Sequence, residues 1–242
     1  MNTILYPAPV YGFLAFLSRQ GIKPQDGREL RILDCGAGGA VPPLALFADN
    51  GFNAFGIDIA QAEIDKARAF GKDHSVAMNI THGDMRSIPF ADNTFDCLYE
   101  YHSMGHISKH DTDTAIREMY RVLKPGGFCF LGFMMNDTWP ILGKDNGNGE
   151  YALVEGGEHV VHSVYKDGEP DAYFGNWDIV LKEKLLRWYT GWSQTLSLEE
   201  WKKMFADSRS AHTAVEVAQM FEERVEKGNY THTFYTVQKP RE

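Results

Sequence analysis

The residues best placed to do chemistry begin at Asp34. This acid stands two positions before Gly36 in Arg31-Ile-Leu-Asp-Cys-Gly-Ala-Gly-Gly-Ala40, directly after the apolar pair Ile32 and Leu33. Val41 to Ala48 follows and reads as the opening of a helix. Glycine lets a backbone approach a ligand closely, and a helix start offers unpaired N–H groups. Strand, glycine turn and helix therefore predict a cradle for a nucleotide-type cofactor. The dinucleotide pattern G-x-G-x-x-G/A is not met, because its third small position falls on Val41. Small residues alternate instead, at Gly36, Gly38 and Ala40.

Two further acids follow at strand ends. Asn53 to Ile59 reads as a second strand closing on Asp58, 22 positions after Gly36. An acid at that tip can accept hydrogen bonds from two ribose hydroxyls, or it can cap a helix starting at Ala60. Gly83-Asp84-Met85 comes after a third apolar-containing stretch, Ser75 to Thr81, and a Gly-Asp pair also serves turns for purely conformational reasons.

Tyr99-Glu-Tyr-His-Ser-Met-Gly-His106 leaves a fourth strand at the carboxyl edge, where open α/β sheets bind ligands. His102 and His106 are candidates for substrate contact or for a general base, with Tyr101 beside them. His102, His106 and His110 are spaced by four, which on one helix would suggest a metal. Gly105 and the strand exit argue against such a helix, so no metal is expected. His159 and His162 read as decoration of an extended segment.

Taken in order, the glycine turn, Asp58, the Gly83-Asp84 turn, Ile88 to Tyr99 and Tyr120 to Leu131 resemble the class I S-adenosylmethionine-dependent methyltransferases, in the type 11-like, small-molecule group. Ala40 stands where that family usually has its last glycine. The resemblance implies S-adenosyl-L-methionine as cofactor and S-adenosyl-L-homocysteine as product. It implies cofactor contacts at Asp34, Cys35, Gly36, Ala37, Gly38, Asp58, Ile59, Gly83, Asp84, Met85, Tyr99, Glu100 and Tyr101. Asp34 would meet the cofactor's amino group, directly or through water, or tie down the glycine turn. Asp84 would receive the adenine amino group. Tyr11 and Trp139 are expected to line the acceptor pocket with His102 and His106, because the N-terminal helix and the loop after strand five border the site in this family. The sulfonium already activates the methyl group, so alignment and exclusion of water suffice and a dedicated catalytic residue need not exist.

The elements that must hold these residues are legible from pattern. Helices are expected at Val10 to Gln20, Ala60 to Gly71 and Asp111 to Leu123, alternating with strands. Residues 136–157 read as a long loop, 169–174 as a short helix, and Trp177–Tyr189 and Tyr230–Gln238 as the last two strands. Two more helices, Leu198 to Arg209 and His212 to Glu226, are expected between them, with apolar stripes through Leu198, Trp201, Met204 and Phe205 and through Val215, Val217, Ala218 and Phe221. The expected fold is α/β and Rossmann-like. The resemblance implies a seven-stranded, mostly parallel sheet of order 3-2-1-4-5-7-6, strand 7 antiparallel, with helices on both faces. A single domain over 1–242 is expected. It divides into an N-terminal helical cap (1–29), a cofactor-binding core (30–134), substrate-side elements (135–176) and a helical insertion (193–228).

Composition narrows the partners. A net charge of -9 and no basic run argue against nucleic acid. Three cysteines without paired spacing suggest neither disulfides nor zinc, and the apolar run Tyr11 to Leu17 is too short to span a bilayer. A cytoplasmic monomer or homodimer acting on a small-molecule acceptor is the expectation. Three alternatives stay open: a cofactor-binding protein without methyl transfer, a relative that uses a modified cofactor for another group transfer, and a nucleotide-dependent oxidoreductase.

Overall fold

The computed structural model describes residues 4–24, 29–155, 157–188, 195–210 and 212–241. Its main sheet is built from β1 (Arg31–Cys35), β2 (Asn53–Asp58), β3 (Asn79–His82), β4 (Phe95–Tyr99), β5 (Leu123–Met134), β9 (Asp178–Trp188) and β10 (Asn229–Gln238). The order is β3-β2-β1-β4-β5-β10-β9. The first five strands run parallel, and β10 lies antiparallel between β5 and β9. This is the expected topology, β9 and β10 being its sixth and seventh strands. Tyr189, the last residue of the expected sixth strand, lies outside the described residues.

Strands covered on both faces must be apolar throughout, and Ile32, Leu33 and Cys35 are all fully buried. Successive side chains point to opposite faces. Leu33, Leu98, Cys129 and Leu131 join one core, with Ile116 and Met119 of α4 (Lys109–Val122). Ile32, Cys97, Tyr99 and Phe130 join the other, with Phe13 and Leu17 of α1 (Ala8–Arg19) and Ile64 of α3 (Gln61–His74). Each large apolar side chain so buried contributes about 1.5–3 kcal/mol.

Two expectations need correcting. The helix after the glycine turn, α2 (Leu44–Asp49), starts three residues later than its sequence suggests, with Pro43 at its N-cap and Val41 half exposed. The turn's own backbone, not a helix start, therefore faces the site. Residues 136–157 are also not a long loop. Strands β6 (Lys144–Asp145) and β7 (Glu150–Glu155) lie there, and with β8 (Glu158–Ser163) they make a separate antiparallel sheet. The Gly and Asn content of that stretch serves its tight turns: Gly143, Gly147 and Gly149 all have positive φ, as does Asn148.

The last two helices, α5 (Leu198–Asp207) and α6 (Ala214–Lys227), form as expected, each opened by a capping box, Ser197 with Glu200 and Thr213 with Glu216. Trp201, Phe205 and Val217 pack into a small core of their own, and Trp201 Nε1 donates to the Val217 carbonyl at 3.1 Å. Val215, expected in that stripe, faces solvent.

Candidate functional site

At the carboxyl edge of β1 the chain turns sharply. The N–H groups of Gly36 and Ala37 both donate to the Ile57 carbonyl, at 2.8 and 3.0 Å. Gly36 has φ +109°, and a Cβ on it would sit 1.9 Å from Ser103 Oγ. Only glycine meets both demands. Gly38 donates its N–H to Asp58 Oδ2 at 2.9 Å, and Ala60 donates to Oδ1 at 2.8 Å. A Cβ on Gly38 would come within 2.6 Å of Asp58 Oδ2. Asp58 thus holds the glycine turn and the entry to α3 with one carboxylate, which still has lone pairs facing outward.

In front of the turn opens a cavity of about 420 Å³. Of the expected cofactor residues, Gly36, Asp58, Ile59, Gly83, Asp84, Met85 and Tyr101 line it, as do His102 and His106. Gly38 stands behind Asp58, and Cys35 and Ala37 are buried beneath the turn. Tyr11 is not on the cavity wall: it lies half exposed on α1, its ring against Tyr6. Trp139 is also elsewhere, packed on Trp201 with ring centroids 6.4 Å apart. Both were expected from where neighbouring elements run, and neither side chain is among those lining this cavity.

Asp34, Tyr99 and Glu100 form a layer beneath the cavity. Tyr99 donates its hydroxyl to Asp34 Oδ2 at 2.5 Å, both groups being shut off from water. Burial, opposed by that hydrogen bond and reinforced by the nearby Glu100 and Asp58 charges, pushes the Asp34 carboxyl up to about 8. Glu100 is fully buried and accepts the Met104 N–H at 2.7 Å. Burial, against the Met104 and Gly132 N–H groups, raises it to about 7. Glu100 therefore fixes the chain leaving β4.

Asp84 is bound by its neighbour. Arg86 meets both its oxygens through Nε and Nη2, at 2.7–3.0 Å, and gives its backbone N–H to Oδ1 at 2.9 Å. That guanidinium holds the Asp84 carboxyl below its usual range and reaches Asp111 at 3.2 Å. Arg86 is the one Lys or Arg side chain among the described residues lining the cavity, and two acids neutralise it.

On the far wall His102 has φ +71° and places Nδ1 3.1 Å from the Tyr230 hydroxyl, which is 3.2 Å from His232 Nε2. One hydroxyl hydrogen cannot serve two nitrogens, so one imidazole donates and the other accepts. Burial and the Arg187 charge lower His102 to about 4, and burial takes His232 well down. Both rings are neutral at neutral pH. Neither Tyr230 nor His232 was singled out from sequence, where both sit unremarkably in a strand. Their partner is 128 residues from Tyr230. Arg86 and Ser103 were missed as well, although each lies within three residues of an expected site residue.

A second, largely apolar cavity of about 130 Å³ lies beyond, with Met134, Leu142, Met204, His162 and Tyr230 on its walls. His162 packs on His106 with ring centroids 4.9 Å apart, so the two spaces share this wall.

A mostly parallel sheet of this order, its last strand inserted antiparallel, with an acid-flanked glycine turn opening on a cavity at the carboxyl edge, is the arrangement that the resemblance to the class I S-adenosylmethionine-dependent methyltransferases implies. Residues 33–131 match the family model described as "Methyltransferase domain". A demethylmenaquinone methyltransferase of Streptomyces avermitilis is 35% identical over 122 residues, which are 50% of this chain and 50% of that protein. A sterol 24-C-methyltransferase of Saccharomyces cerevisiae is 32% identical over 50% of this chain and 30% of its own length. The chain thus spans half or less of these two relatives. A crystal structure from Methanosarcina mazei, described as a SAM-dependent methyltransferase, superposes over 99% of this chain and 100% of its own, with TM-score 0.64 and 17% identity. That likeness is one of fold.

Proposed function

We propose that this protein transfers the methyl group of S-adenosyl-L-methionine to a small-molecule acceptor and releases S-adenosyl-L-homocysteine. The observation that carries the reading is the charge of the cavity. Asp58 and Asp84 are on its wall, its single guanidinium is already paired with Asp84, and Asp34 and Glu100, protonated up to about pH 8 and 7 without cofactor, lie buried behind it where a cation would favour their ionisation. Such a site disfavours the pyrophosphate of a dinucleotide and favours a ligand bearing ammonium and sulfonium charges.

Bound there, the cofactor supplies a methyl group already activated by a sulfonium. The protein's part is to position and to exclude water, which can supply up to about 7–11 kcal/mol. Asp58 offers its free lone pairs to ribose hydroxyls, and Gly36 lets the turn approach closely. Asp34, held from below by Tyr99, answers a cationic amino group above the turn through space or through water. Asp84 has four contacts from Arg86 and serves to lock its turn, leaving Met85 and Ile59 to flank an adenine. The apolar second cavity beyond His102 and His106 suits an apolar acceptor, in keeping with the substrates named for the two curated relatives.

The three cysteines are free and buried, which suits a cytoplasmic protein. Among the described residues no helix is long and apolar enough to cross a membrane. The activity is tested by incubating the protein with the cofactor and a panel of quinol, sterol, amine and phenol acceptors. Release of S-adenosyl-L-homocysteine that depends on one acceptor class supports the reading; none with any class, from protein that binds the cofactor, assigns it to binding without transfer.

A further inference from the structure

His106, Glu155 and His162 come from three separate elements and meet on the wall between the two cavities. His106 ends the short 3-10 turn after β4, Glu155 ends β7, and His162 lies in β8. One donor atom from each lies within 4.8 Å of the other two. Glu155 Oε1 is 3.1 Å from His162 Nε2, and Oε2 is 3.6 Å from His106 Nδ1. Two ligands about 2.1 Å from one tetrahedral ion stand about 3.4 Å apart, so the carboxylate is already at a ligand's distance from both imidazoles. His162 Nε2 is sealed from water and lies against the Glu155 carboxylate, so a buried imidazole nitrogen and a carboxylate face one another at the centre of the cluster.

From this juxtaposition we infer that His106, Glu155 and His162 form a binding site for a divalent transition-metal ion. Two imidazoles and one carboxylate are the donor set of zinc and non-haem iron sites that keep positions open. The hairpin creates the site: β7 and β8 pair Glu155 with Glu158 and Tyr151 with His162, and packing of β8 on the turn at Met104–His106 brings His106 alongside. No spacing in the sequence shows this, which is why the sequence alone predicts no metal. His106 lines the larger cavity and His162 the smaller, so the open positions of the ion belong where the two spaces adjoin. An acceptor oxygen bound there would lose its proton more readily. That role rests on the methyl-transfer reading, whereas the site itself does not.

The test is calorimetric titration of the full chain, stripped with chelator, with zinc chloride and no cofactor present. One equivalent is expected to bind, and Glu155→Gln and His162→Ala each weaken binding by at least about tenfold, the loss seen even when an outer-shell partner of a metal is removed. His159→Ala, an exposed neighbour on β8, leaves it unchanged. Thermal unfolding of each variant without metal checks the fold, and Glu155→Gln, at an exposed strand end, keeps the test valid if His162→Ala unfolds. Substituted Co²⁺ provides a second reading, with the visible d–d bands of a low-coordinate nitrogen and oxygen site. Absence of binding, or zinc binding equally tight in Glu155→Gln, overturns the inference. Because no cofactor is in the cell, either outcome is independent of whether methyl transfer occurs.

Discussion

Tyr99 gives its hydroxyl hydrogen to Asp34 across the β1–β4 pairing, where the two residues stand directly opposite in register. A carboxyl group inside a sheet that is otherwise apolar at this point has one side-chain partner, and the cavity floor depends on it. Tyr99→Phe leaves Asp34 buried with that partner gone. The expected cost is about 1–3 kcal/mol, read as a lower urea midpoint at unchanged slope. A midpoint equal to wild type would mean that the hydroxyl does not hold the carboxyl.

The same burial sets a pH dependence. In the folded chain Asp34 holds its proton to about pH 8 and Glu100 to about pH 7, whereas unfolded they release it near 3.8 and 4.5. Between those limits the folded state binds more protons, so stability without cofactor falls as pH rises from about 4 to about 8. Asp34→Asn flattens the upper part of that slope. Denaturation series at stepped pH check it, and a variant with the wild-type slope contradicts the assignment.

His102 and His232 act in the opposite direction. Their imidazoles stay neutral in the fold, His102 down to about 4, while the unfolded chain protonates them near 6.5. The stability they protect is present above 6.5 and is lost as pH falls towards 4. NMR titration of the His102 ring should find a midpoint well below 6, and one near 6.5 would show the ring to be solvated.

Gly36→Ala meets two obstacles, positive φ and the Ser103 side chain. It should destabilise by more than about 1 kcal/mol and abolish cofactor binding. Adding Ser103→Gly removes the collision but not the strained φ, so the double variant should recover part of the stability. No recovery at all would locate the cost in φ alone.

Asp58→Ala removes the acceptor of two backbone N–H groups as well as the proposed ribose ligand. At least about a tenfold loss of S-adenosyl-L-homocysteine affinity is expected, with a stability loss of about 1 kcal/mol, that of a lost cap. Unchanged affinity in a folded variant removes Asp58 from the cofactor site.

What could be read in the sequence was local. Gly36, Gly38 and Asp58 announce themselves because a turn's geometry depends on residues close in the chain, and the alternation of strand and helix signals showed a parallel sheet, whose strand order came only with the family resemblance. Asp34 also carried a signal: a carboxylate between Leu33 and Cys35, in a strand buried on both faces, has to be buried and partnered. The partner, 65 residues on, was not legible. Nor were the pairing of His102 with Tyr230, the capture of Asp84 by Arg86, or the β6–β8 sheet, whose glycines look like those of a loop. These depend on register and on side-chain direction between distant elements. Tyr11 and Trp139 show the same limit from the other side. Neither lines the cavity in front of Gly36.

The cavity in front of Gly36 is proposed to take a cationic adenosyl cofactor. The most direct test is calorimetric titration of the purified chain with S-adenosyl-L-methionine, S-adenosyl-L-homocysteine and NAD. Saturable binding of one equivalent of each adenosyl ligand, with no heat of binding from NAD, is the predicted result. Binding of NAD alone would contradict it.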